Sequence, residues 1–249
     1  NQLTSLDLTG CEALVYLDCP YNELEIIDIT TCTSLTSLWF SNNELVSLDV
    51  SKCEDLEILY CSYNQLVSLD LSHNPKLLSL RCNGNNLTEL DVSACISLDE
   101  LICSVNNLTK LDISHNTELT WLSCYINSLT ELDLSANAAL TNLDCSFNDL
   151  IELDVSSNTN IEDLDCSYND LTSLILGSNT NMTTLKCDNN SLTDVDITGC
   201  PNLTSFTYDN TVNIIEYGMT IDTGNFPDEA FRDYVLLNLD TTHDGKLNS

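Results

Sequence analysis

Basic residues are scarce in this 249-residue chain: 7 Lys and Arg stand against 39 Asp and Glu, for a formal net charge of −32. A surface so poor in positive charge lacks the field that phosphate-bearing polymers and anionic bilayers need, which excludes nucleic acid as a partner. No apolar run approaches the roughly eighteen residues of a spanning helix, and no membrane insertion is expected. Glycine (7) and proline (4) are few, and aromatics make up 6% of the chain. The catalytic signatures GxSxG, P-loop, HExxH and the dinucleotide-binding glycine motif are all missing, so no enzyme is expected. What remains is 43% hydrophobic and only 18% charged, a balance that can fill a core and does not signal disorder. Heavy use of Leu, Asp, Asn, Ser and Thr points to an internal repeat.

A short motif (apolar, any, apolar, two spacers, then Asn or Cys) starts at residues 6, 17, 27, 38, 48, 59 and so on to 206, with gaps that alternate eleven and ten. The true period is 21, and it holds two unlike halves. First halves read LDLTGC, IDITTC, LDVSKC; second halves read LDCPYN, LWFSNN, LYCSYN. Apolar alternation at period two predicts a strand, with Leu6 and Leu8 facing one way and Asp7 the other. Ten residues reach at most roughly 33 Å, too little to go around a two-layered coil, whereas twenty-one suffice. The expectation is a flattened right-handed solenoid of about ten coils, with first halves stacked on first halves and second halves on second halves as parallel strand ladders. Whether both ladders are regular strands stays open at this point.

The pattern LxxLxLxxN resembles the leucine-rich repeat, and its nested 21-residue form resembles the subclass called IRREKO, found mainly in bacterial surface proteins. The resemblance covers residues 1–211. It implies a β-rich leucine-rich-repeat solenoid, a bacterial cell-surface or secreted location, and a non-catalytic binding role.

The motif's sixth position carries Asn in the second halves, from Asn22 and Asn43 to Asn190, and Asn or Cys in the first halves. Turned inward at a corner, an amide can satisfy backbone groups that an apolar side chain cannot. Eight further cysteines, among them Cys19, Cys61 and Cys103, fall on an inward strand position. Stacked neighbours there would carry parallel Cβ vectors, unsuited to disulfides, and zinc spacings are absent. The thirteen cysteines are therefore expected to be buried, reduced, small hydrophobes. The residue before the second-half Asn (Tyr21, Tyr63, Val105, Ile126, Phe147, Tyr168) is expected to stack along the turn edge.

Facing outward from the first halves runs a row of Asp from Asp7, Asp28 and Asp49 to Asp196, interrupted by Ile175, with Ser or Thr two residues on. Adjacent carboxylates about 4.8 Å apart repel by roughly 1 kcal/mol in water. The hydroxyls can offset this by donating to them; weak divalent-cation binding is the functional alternative. The second-half outward columns are relaxed instead. Tyr16, Trp39, Ile58, Tyr60, Arg81, Ile102 and Trp121 gather over the first six coils, and aromatics and Arg are the usual interface anchors. They are the candidate ligand-binding residues, for a protein or a glycan partner; the rival reading is a rigid acidic spacer carrying other domains. A monomer is expected. His73 and His115 share a corner column about 10 Å apart and cannot chelate one ion together.

Asn1 falls where the ladder Asn of a preceding motif would lie, so the solenoid is expected to continue upstream. Residues 212–224 read as a cap or linker. In 225–249, Pro227, the acids Asp228 and Glu229, and Phe231, Val235 and Leu239 at helical spacing predict a helix over 227–239. Asp240, Thr242, Asp244 and Gly245 follow at positions one, three, five and six of an EF-hand-like loop. The sequence stops before position twelve, where the bidentate Glu belongs. Calcium through Asp240, Thr242 and Asp244 is thus expected to be weak and incompletely coordinated, and no other cofactor is implied.

Overall fold

The computed structural model describes residues 1–216, together with the backbone pairing of Met219–Thr220 with Lys246–Leu247. The helix expected over 227–239 and the loop residues Asp240, Thr242 and Asp244 lie outside the described residues. Among the described residues there is no helix.

Ten three-residue strands form one parallel sheet in chain order: Tyr16–Asp18, Ser37–Trp39, Ile58–Tyr60, Ser79–Arg81, Glu100–Ile102, Trp121–Ser123, Asn142–Asp144, Asp163–Asp165, Thr184–Lys186 and Ser205–Thr207. These are the second halves. Each pairs with the equivalent residues one coil on, Leu17 facing Leu38 and Leu38 facing Leu59, which fixes the coil at 21 residues. The middle residue of each strand points inward and its neighbours outward, so the period-two reading of facing holds. Leu, Val, Ile and Cys from both halves fill one core running along the solenoid, and Phe40 fits between Cys19 and Cys61 fully buried.

The first halves are less regular. Among them strands occur at Glu152–Asp154, Ser173–Ile175 and Asp194–Asp196, the last paired with Asn213–Ile215 at a spacing of nineteen. In both ladder pairings an aspartate faces an isoleucine: Asp154 opposes Ile175, and Asp196 opposes Ile215. From Asp7 to Asp154 the row sets aspartate beside aspartate, and like charges directly opposite destabilise a strand pair. Both pairings thus include an isoleucine partner, whereas Ile175 and Asp196, adjacent in the row, form no ladder.

Within the row each carboxylate closes its own turn. Asp Oδ1 accepts the backbone N–H two residues on, as in Asp49 from Ser51 (2.9 Å) and Asp112 from Ser114 (3.0 Å), and at Asp28 and Asp70 the Thr30 and Ser72 hydroxyls donate as well, at 2.6 Å. The backbone donor was not legible from sequence. These bonds hold the Asp28, Asp70, Asp112 and Asp196 carboxyls below the ordinary value of 3.8. The stability they contribute is fully present above that value and is lost as pH falls through the lowered one. Among the described residues no group of three or more His, Cys, Asp or Glu is arranged to hold a metal ion.

Two amide ladders close the corners unequally. Asn106 Nδ2 donates to the carbonyls of Cys103 (3.0 Å) on its own coil and Cys82 (3.1 Å) on the preceding one, while Oδ1 accepts the Leu87 N–H (3.0 Å). The same set repeats at Asn43, Asn64, Asn85 and Asn148. In the first halves Asn116 donates to Val92 (3.0 Å) and Cys95 (2.8 Å), but its buried Oδ1 has no protein partner, nor have those of Asn74, Asn137, Asn158 and Asn179. An amide using only its donor is easier to replace, which accounts for the Asn–Cys exchange at that position.

The corner column preceding the second-half Asn adopts the left-handed conformation, with φ of 54° at Tyr21, 53° at Tyr63, 55° at Val105, 51° at Ile126 and 53° at Phe147. For a side chain with a Cβ this costs about 1–2 kcal/mol. Coil-to-coil bonds from these residues, such as Val105 N–H to Tyr125 C=O at 2.8 Å, hold the turn in place. The expected stacking is present at Phe147–Tyr168, whose rings lie 4.1 Å apart and nearly parallel. Tyr63 covers Gly84 instead: a Cβ there would come within 2.6 Å of its ring.

All thirteen cysteines are free, and only Cys11 is not buried. Burial pushes the Cys61 and Cys103 thiols up to about 12 and Cys95 to about 11, so they stay protonated and inert at neutral pH.

Three outcomes are expected. Asn106→Cys strands an N–H and two carbonyls and costs at least about 3 kcal/mol in urea unfolding, against about 1 kcal/mol for Asn116→Cys; equal costs would contradict the ladder assignment. Thiol burial contributes stability that is fully present below the ordinary thiol value of 9.0 and is lost as pH rises toward about 12. Melting temperature should therefore fall steeply above pH 9, and less steeply in Cys103→Ala, whose neutral-pH value is itself lower. Finally, Asp112→Asn keeps an oxygen for the Ser114 N–H and removes a charge from the row. Its melting temperature should fall at neutral pH, because the hydrogen bonds that lower the Asp112 carboxyl favour the ionised side chain in the folded chain, and should match the parent's once acid has protonated that carboxyl.

Candidate functional site

Outward residues of the ten-stranded sheet occupy two columns, the first and third positions of each strand. Register places Asp18, Trp39, Tyr60, Arg81 and Ile102 side by side in the third-position column. Tyr16 meets Trp39 edge-on with ring centres 5.7 Å apart, and Trp39 leans on Tyr60 at 5.1 Å. The Arg81 guanidinium lies 4.6 Å from the centre of the Tyr60 ring and donates to Glu100 Oε1 from Nη2 (2.7 Å) and Nε (3.1 Å). Ser79 donates to the other Glu100 oxygen, and Trp39 Nε1 donates to Ser37 Oγ at 3.0 Å. A continuous row results, from Tyr16 through Trp39, Tyr60 and Arg81 to Glu100, in which each side chain props the next. Such ordering lowers the entropy a partner's arrival would otherwise cost. Ile58 sits between Ser37 and Ser79 in the first-position column, and Ile102 follows Arg81.

Trp121 stands apart. Register puts it between Glu100 and Asn142, 47% exposed, and among the described residues its ring contacts no other aromatic ring and its indole N–H makes no hydrogen bond. Beyond it the sheet dips. Ser123, buried and sharing a hydrogen bond with Ser104 Oγ at 2.8 Å, is too short to fill its place between Ile102 and Asp144. The depression, about 410 Å³, is lined by Trp121 and Tyr125 together with Asp144, Asp163, Asp165 and Lys186. Lys186 Nζ lies 3.0 Å from Asp165 Oδ2, and Asn142 donates to Asp163 at 3.1 Å. Burial raises the Asp144 carboxyl above its ordinary value despite hydrogen bonds from the Ser146 hydroxyl (2.6 Å) and N–H (3.1 Å).

Of the seven residues singled out in the sequence, Tyr16, Trp39, Tyr60 and Arg81 are thus joined in one row, Ile58 and Ile102 border it, and Trp121 belongs to the depression. Tyr125 escaped notice, although its motif position elsewhere carries small or polar residues such as Pro20, Ser41, Ser62 and Asp188. The acids of the depression were read as a column without the recess between them. A larger depression of about 590 Å³ on the first-half face is lined by Asp70, Asp91 and Asp112 with Lys110, and has no aromatic wall.

No protein-family model matches the sequence, and no curated protein does. Solved structures do. The functional domain of InlJ from Listeria monocytogenes, which includes a cysteine ladder, is 32% identical over 90% of this chain, with a TM-score of 0.65. A leucine-rich-repeat protein of Leptospira interrogans is 25% identical over 77% of the chain, with a TM-score of 0.71. Internalin C2 of Listeria monocytogenes, 18% identical over 82% of the chain with a TM-score of 0.64, shares the fold. The chain spans 59%, 54% and 84% of the lengths of these three structures. Its coil length, its inward Leu, Asn and Cys columns and these likenesses together make it a solenoid of the leucine-rich-repeat fold.

Proposed function

We propose that this chain is a non-catalytic binding module of a bacterial cell-surface or secreted protein, and that its second-half sheet recognises a protein partner. The carrying observation is the row from Tyr16 to Glu100. The inward columns repeat almost without exception, yet this outward face exchanges its repeat for two tryptophans, two tyrosines, an arginine and a paired glutamate. Solvent exposure alone requires none of these contacts, and large aromatics with arginine concentrate where interfaces draw their affinity. The most similar structures named above are bacterial, which supports the bacterial setting. The nested-repeat subclass and a weak calcium loop at Asp240, Thr242 and Asp244 remain part of this reading on sequence spacing alone. A glycan partner is the second reading, favoured by the exposed Trp121 indole beside hydrogen-bonding acids. A purely spacing role predicts no dependence on either tryptophan.

The double variant Trp39→Ala, Trp121→Ala separates these. Neither side chain is in the core, so its melting curve should stay within a few degrees of the parent. Against protein fractions and a glycan array probed with the parent domain, binding should drop at least tenfold. Undiminished binding by a well-folded double variant would remove the sheet from the recognition role.

A further inference from the structure

We propose that the depression beside Trp121 is a subsite for an arginine side chain of the partner, with the guanidinium stacked on the indole and paired with Asp144. This rests on the binding reading above and names the chemistry of one pocket within it.

The sheet itself shows which group fits such a place. Two coils earlier, the Arg81 guanidinium lies over the Tyr60 ring and is held by Glu100. An aromatic ring, a carboxylate and a guanidinium there form a closed set. The depression repeats the ring and the carboxylates without the cation. Trp121 and Tyr125 line it together with Asp144, Asp163 and Asp165, and Lys186 is its one cation. Lys186 is already engaged by Asp165, and Asp163 receives only a neutral amide from Asn142. Asp144 has no cation within ion-pair distance among the described residues; its donors are the hydroxyl and N–H of Ser146. Lys186 is near Asp144 but bonded to Asp165, so the partly buried Asp144 carboxylate has no cation in contact, and a planar bidentate donor suits it best.

Trp121 is equally uncommitted. Trp39 is clamped between two tyrosines and its N–H is used, whereas the Trp121 ring and N–H are both free among the described residues. Stacking a cation over an exposed indole adds about 0.5–1 kcal/mol. At about 410 Å³ the recess has room for one such side chain. The net charge of −32 draws cations to the surface from a distance and disfavours an anionic occupant.

The test uses three blocked tripeptides, acetyl-Gly-Arg-Gly-amide and its citrulline and glutamate counterparts, titrated into the full chain at low ionic strength. The indole N–H resonance of Trp121, identified with Trp121→Phe, reports binding. The arginine peptide should shift it saturably, and citrulline, equal in shape but neutral, should bind at least tenfold more weakly. Asp144→Asn should weaken the arginine peptide about tenfold, and Asp112→Asn, which removes the same charge from the other face, should leave it unchanged. Should Asp144→Asn fail to fold, Asp163→Asn and the citrulline comparison still decide. Equal binding of arginine and citrulline, equal losses from Asp112→Asn and Asp144→Asn, or a preference for glutamate would each overturn the subsite. If the peptides fail while the tryptophan double variant still loses the partner, the subsite falls and the binding reading stands.

Discussion

One amide side chain per coil holds this solenoid together. At the second-half corners from Asn22 to Asn190 the backbone leaves carbonyls and an N–H facing inward, away from water, and a single Asn engages them, at Asn106 on two successive coils. An orphaned backbone group inside a core costs about 1–3 kcal/mol, so the register cannot slip by one residue without uncovering several at once. The 21-residue spacing follows from that constraint, and with it the facing of every other column. Leucines and cysteines fill the interior because the corner has already fixed where the interior is.

The two faces differ in how far they become sheet, and the charged one is the less regular. The second-half ladder runs through ten strands, whereas the first-half ladder forms regular pairs only where Ile175 and Ile215 stand opposite an aspartate. The remaining aspartates turn to their own backbone, each carboxylate capping a local turn. Where two acids do face each other in the regular sheet, at Asp144 and Asp165, Lys186 sits beside them and burial raises the first. A chain with 39 acids against 7 basic residues therefore keeps its repulsion on one face and leaves the other free to vary.

Much of this could be read from the sequence because period two and period 21 are both exact geometric counts. Thiols inside, Trp39 and Trp121 outside and the inward amides all follow once the ruler is found. The interrupted first-half ladder did not, since facing can be read from alternation but ladder pairing cannot. Tyr125 was missed because a single large residue at a turn position has no periodic partner to announce it. The left-handed corner was hidden too: Val105 and Ile126 are side chains that disfavour φ above zero, and only the coil-to-coil bonds hold them there. The ring-to-guanidinium row was not legible either, because register names neighbours without saying whether they touch.

Because each corner is tied only to the coils beside it, load on this array is borne one ring at a time. Among the described residues, tension applied at the first coil has no distant contact to resist it and meets instead the amide clasp of Asn22. Once that clasp opens, the coil pays out about 70 Å of slack before the next is loaded. Pulled from its ends, such a chain behaves as a shock absorber with a uniform tooth spacing, yielding in equal increments while the rings still closed keep their outward face intact.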